Sequence, residues 1–132
     1  MTDSEFLQAF GDGTITPGEF HHGQHLRLAY IHMNAAPLDE AIRSFRKDLM
    51  TFIARAGEDS KYHETITIAF LIIVKERMDR LGRNHSWEEF RKVNVDLFIQ
   101  PRDVLSTYYR SKTLNTDEAR RSFVSPDISP LP

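Results

Sequence analysis

Along most of the chain, apolar positions recur at three- and four-residue intervals, the spacing of helices that turn one face to a core. The pattern is clearest where Leu38, Ala41, Ile42, Phe45, Leu49, Phe52 and Ile53 mark one side of a helix. Asp39 and Glu40 sit favourably against its dipole, and Gly57 is its expected end. Upstream, Thr16 and Glu19 form a capping box with Pro17 at the first helical position, which predicts a helix from Thr16 to about Asn34. Downstream, Ser60 is the expected cap of a helix over Lys61 to Leu81, ended by Gly82. This third helix is the most apolar of the set and the expected centre of the fold.

Shorter elements flank these three. Ser4 to Phe10 reads as a short helix stopped by Gly11-Asp12-Gly13. Ser86 and Glu89 make a second capping box ahead of Trp87, Phe90 and Val93, while Asn94 to Ile99 carries no clear period. Pro101-Arg102-Asp103 starts a helical turn through Val104, Leu105, Tyr108 and Tyr109, and Thr116 caps a last helix over Asp117 to Phe123. The tail from Val124 to Pro132 holds three prolines and cannot be helical. Its Val124, Ile128 and Leu131 predict that it lies extended across the domain, as a candidate pocket cover. The expected architecture is all-α: one helical domain over residues 1–132, a small bundle of three long helices with short C-terminal helices and an extended Pro-rich tail.

Composition narrows the function classes. A chain of 132 residues can bury roughly two thirds of its unfolded surface in one core, so no disulfide or metal staple is required. The absence of cysteine excludes disulfides, thiolate ligands and cysteine nucleophiles. A net charge of −2 with both signs interspersed argues against a nucleic-acid surface. The start, Met1-Thr2-Asp3-Ser4-Glu5, has no signal-peptide character, and the apolar run from Ile66 to Val74 falls far short of the ~20 residues that span a bilayer. The expectation is a cytoplasmic protein with neither membrane nor nucleic-acid partners. No phosphate loop, nucleophile elbow or RNA-binding pattern is present.

Histidines carry the candidate chemistry. On the helix expected from Thr16, about 100° per residue places His22, His25, Leu26, Ala29, His32 and Met33 on one face and turns His21 outward. On the third helix the same count groups His63, Ile66, Thr67, Phe70, Ile73 and Val74, with His63 in the first turn. Three inward imidazoles are costly filler, because each unsatisfied buried polar group loses about 1–3 kcal/mol. An imidazole near a helix start tends to stay neutral and can accept a proton or a metal.

These residues also carry a resemblance. Phe20-His21-His22-Gly23-Gln24-His25-Leu26, the run Tyr62 to Thr67, Tyr108-Tyr109, and Pro126-Asp127 through Pro130-Leu131 resemble a family of small uncharacterised bacterial helical proteins. The family pattern is Phe-x-His-x-x-His-Leu followed by Tyr-His-Glu-Thr-Ile-Thr. The resemblance covers nearly the whole chain from Glu19 onward and implies that His22, His25 and His63 are shared features. It supplies no reaction.

The leading expectation is a small-molecule enzyme whose pocket between two helices uses His22, His25 and His63 as catalytic groups. The same three are the candidate ligands of a divalent transition metal, with Glu19 or Glu64 as an added carboxylate. Tyr62, Glu64, Thr67, Tyr108 and Tyr109 are the candidate ligand-binding residues. The alternative is a non-catalytic helical module that binds a ligand or partner through the same surface. A purely structural use of the histidines, satisfied by backbone carbonyls or water, competes with both. The apolar third helix also leaves room for a homodimer.

Overall fold

A computed structural model describes residues 1–132 as nine α-helices, two 3-10 turns and no strand. The helices are α1 (Asp3–Gly11), α2 (His22–Ala35), α3 (Leu38–Ala56), α4 (Glu64–Leu81), α5 (Trp87–Val93), α6 (Val95–Ile99), α7 (Pro101–Ser106), α8 (Ser111–Leu114) and α9 (Asp117–Arg121). None is long and apolar enough to cross a membrane. The chain divides into two compact units, Met1–Tyr62 and His63–Pro132.

In the first unit, α2 and α1 both pack on α3. Thr2 caps α1, with Glu5 returning a carboxylate to the Thr2 N–H at 2.9 Å. The Thr16–Glu19 box exists, but it closes only a 3-10 turn over Pro17–Glu19. The cap of the α-helix lies five residues after the expected one, where extended His21 donates its N–H to the Gln24 side chain at 3.1 Å. Two start signals lie in tandem, and the one nearest the continuous apolar period opens the α-helix. α3 ends as expected: Gly57 turns left-handed at φ 70°, and Glu58 N–H reaches the Ile53 carbonyl at 2.9 Å. The core of this unit is aromatic. Phe10 stacks on Phe52 at 4.9 Å, and Phe20 lies tilted against both, at 5.1 and 4.7 Å.

In the second unit, α9 packs on α4, and α5, α6 and α7 follow one another in contact. Ala69, Leu105 and Tyr109 form a buried cluster, with Ile66, Phe70, Tyr108, Leu114, Val124 and Leu131 packed against it. The stretch without a clear period is the short helix α6, and its Leu97 is fully buried. Among the aromatic residues of the chain, Phe45, Phe52 and Phe90 are buried, while Phe70, Trp87 and Phe98 are half-buried.

The tail is extended and pinned by its backbone. Tyr109 Oη donates to the Val124 carbonyl at 2.7 Å, and Ile128 N–H donates to the Tyr108 carbonyl at 2.9 Å. Asp127 accepts from Arg110 N–H and Thr113 Oγ1 at 3.1 and 2.8 Å. Val124 and Leu131 pack as their apolar character suggests, but Ile128 is half exposed.

Candidate functional site

His22 and His25 open α2 in the first unit, and His21, its cap, is exposed as expected. His22 is the first helical residue and His25 lies one turn on, so the two imidazoles are neighbours on one side of the helix start. The His25 ring stacks on Phe20, with centroids 4.0 Å apart and planes 22° from parallel. Phe20 is itself buried against Phe10 and Phe52. Burial, with a smaller contribution from His22, pulls the His25 pKa down from 6.5 to about 4. At neutral pH this ring is uncharged, with one nitrogen donating and the other accepting.

Glu19 is committed elsewhere. Its carboxylate accepts from Thr16 Oγ1 at 2.7 Å and from the Thr16 N–H, and these bonds hold its pKa below the usual range. The added carboxylate considered for a metal site is thus an exposed capping group.

His63 has a different role from the expected one. The residue does not lie in the first turn of α4 but caps it, and Ser60 falls within a 3-10 turn over Asp59–Lys61. Its Nδ1 accepts from Ile66 N–H at 3.1 Å, which places the proton of the neutral ring on Nε2. That Nε2 then donates to the Leu114 carbonyl at 2.6 Å. Both ring nitrogens are engaged within the second unit, leaving neither free for a metal or a substrate proton. No group of three or more His, Asp or Glu side chains is placed to hold a metal ion.

The candidate ligand-binding residues fall out as follows. Tyr62 ends the 3-10 turn and is half-buried; Glu64 is the first residue of α4 and is also half-buried. Thr67 Oγ1 donates to the His63 carbonyl at 2.8 Å, the back-bond of a threonine inside a helix. Tyr109 is buried with its hydroxyl given to the tail, and burial raises its pKa. Tyr108 stays half-buried beside the same cluster. The hydroxyl of Tyr109 and that of Thr67 therefore serve the fold.

Two polar groupings escaped the sequence reading. His32 Nε2 meets Asp48 Oδ2 at 2.8 Å, joining α2 to α3. Arg77 donates to Asp96 through two nitrogens, at 2.9 and 2.8 Å, and to Asn94 Oδ1 at 2.9 Å. No local spacing announces either pair, because each joins different helices. Compared with known proteins, the chain matches no family model, no curated protein and no solved structure.

Proposed function

We propose that this protein is a helical module that binds a small molecule at the start of α2, through His22 and His25. One observation carries this reading: a neutral imidazole, stacked on a buried phenylalanine, with a second imidazole one turn away. Perturbed titratable groups of this kind mark functional sites more often than ordinary surface.

The chemistry suits recognition better than catalysis. A general base works best with a pKa near the operating pH, and a ring at about 4 is available but weakly basic at pH 7. A neutral imidazole instead offers one donor and one acceptor, and the Phe20–His25 stack offers flat apolar surface. A neutral, flat molecule carrying its own donor and acceptor matches both, which makes aromatic amides the probe of choice.

The test is a titration with benzamide and nicotinamide, followed through the ring proton signals of His22 and His25. Saturable shifts of both signals are expected in the wild-type chain, and the His22 shift should be lost in His25→Phe, because phenylalanine keeps the stack and removes the His25 hydrogen bonds. No saturable shift up to millimolar ligand, or equal shifts in the variant, would overturn the proposal.

A further inference from the structure

The tail meets the helices beneath it at two stations of different character. At the first, Val124 is held by two buried residues: its N–H donates to Thr65 Oγ1 at 3.1 Å, and its carbonyl accepts from Tyr109 Oη at 2.7 Å. At the second, exposed Asp127 accepts from Arg110 N–H at 3.1 Å and from Thr113 Oγ1 at 2.8 Å. The bond from Ile128 N–H to the Tyr108 carbonyl, at 2.9 Å, stands beside it. No residue from Ser125 to Pro132 is buried, and the apolar hold of this stretch on the Ala69–Leu105–Tyr109 cluster is Leu131.

We infer that residues 125–132 are a strap, hinged at Val124 and latched by the Asp127 carboxylate, which lifts in acid while the helices stay folded. Pro126, Pro130 and Pro132 fix φ along the strap, so it moves as a stiff piece and gains little backbone freedom on release. Lifting breaks the two Asp127 bonds, the Ile128 bond and the Leu131 contact, while Thr65 and Tyr109 keep the hinge. Segments with so few buried contacts open at a lower free energy than the whole fold. The open form presents the Tyr108 carbonyl, the Arg110 N–H and the Thr113 hydroxyl, and it uncovers the side of the cluster on which Leu131 packs.

Charge on Asp127 closes the latch, because an ionised carboxylate accepts hydrogen bonds more strongly than a neutral carboxyl. Partial desolvation pushes the Asp127 carboxyl up, but the bonds from Arg110 N–H and Thr113 Oγ1 outweigh it and hold the group below the usual carboxylate range. The closed strap is therefore favoured above that range and loses its latch as pH falls through the lowered pKa. Among the charged and titratable groups around it, Arg110 approaches Asp127 through Nε at 3.9 Å, and the Tyr109 hydroxyl feels its charge. Lys112 on α8 is exposed, and His63 holds the Leu114 carbonyl at the far end of that helix.

Backbone amide NMR spectra of the full chain, recorded from about pH 7 to about pH 3, read the strap directly. The Arg110, Thr113 and Ile128 signals should move together in one acid step, while those of Ala69 and Val74 in α4 keep their folded positions. Asp127→Asn retains an acceptor but cannot ionise, so the step should vanish. At neutral pH, Asp127→Ala should speed amide exchange at Ile128 by about tenfold or more, with α4 amides unchanged. A wild-type chain with no acid step overturns the inference, and so does loss of the α4 signals in the same step, which is global unfolding. A step that persists in Asp127→Asn would assign it to another group, His63 among them, and also overturns it. The same holds for an Asp127→Ala chain whose Ile128 amide exchanges as slowly as the wild type's.

Discussion

His63 and Leu114, fifty-one residues apart, are joined by a hydrogen bond from the imidazole Nε2 to the backbone carbonyl at 2.6 Å. The same ring accepts the Ile66 N–H through Nδ1. One side chain therefore closes the open end of α4 and fastens it to α8. An N-cap satisfies a helix donor that has no partner within the helix, and this one brings a long-range tie with it.

His63→Ala should cost about 2–3 kcal/mol in denaturant unfolding, since it removes a cap and leaves the Leu114 carbonyl without its donor. His63→Asn keeps an acceptor in reach of Ile66 N–H but is too short for both contacts, so it should recover about half of that loss. Equal losses in the two variants would show that the cap contributes nothing.

The His25 ring makes stability depend on pH in a defined window. Its folded pKa of about 4 lies below its ordinary value of 6.5, so the unfolded chain takes up the proton first. Stability from this group is complete above pH 6.5 and falls as pH drops towards about 4, by about 3 kcal/mol in all. His25→Phe should flatten that part of the curve in thermal melts recorded between those two values. An unchanged slope in the variant would assign the acid sensitivity to other groups.

Thr65 ties the tail to α4. Fully buried, it donates to the Ser122 carbonyl at 3.0 Å and accepts from Val124 N–H at 3.1 Å. Thr65→Val keeps the shape and removes both bonds, leaving two backbone groups unsatisfied. The expected loss is about 1–3 kcal/mol, with faster amide exchange concentrated at Val124 and beyond. Faster exchange spread evenly over the whole chain would instead indicate global destabilisation alone.

Arg77 and Asp96 form a two-bond pair in which the guanidinium is mostly buried and the carboxylate 42% exposed. The hydrogen bonds from Arg77 lower the Asp96 pKa, so the stability the pair contributes is present near neutrality and is lost as pH falls through the Asp96 titration. Solvent screening at the exposed carboxylate limits Asp96→Ala to about 1 kcal/mol. A double-mutant cycle with Arg77→Leu should return a coupling energy of similar size, and additive losses would show the pair to be idle.

Much of the helical content was legible in the chain because it rests on local physics. The α3 period with its acidic start and Gly57 end, the Ser86–Glu89 box, the Thr116 cap and the non-helical tail each follow from residues within a few positions of one another. Local rules also turned His21 outward. They failed where two such signals stood in tandem, at Thr16 and His21 and again at Ser60 and His63.

Tertiary structure decided the rest. Whether an imidazole is a ligand or a cap depends on what meets its second nitrogen, and for His63 that group is a carbonyl fifty-one residues away. Desolvation of His25 depends on the Phe20 ring beneath it and on the aromatic packing that holds Phe20 in place. Val93, Val95 and Ile99 of α5 and α6 are left exposed while Ala69, Leu71, Ile73, Val74 and Met78 of the more apolar α4 are buried, a choice between surfaces that periodicity ranks but cannot make. The sequence by itself determined where helices start, stop and turn an apolar side. Hydrogen bonds and burial between distant residues determined which polar groups are left to do chemistry, because those energies exist only once the chain has closed on itself.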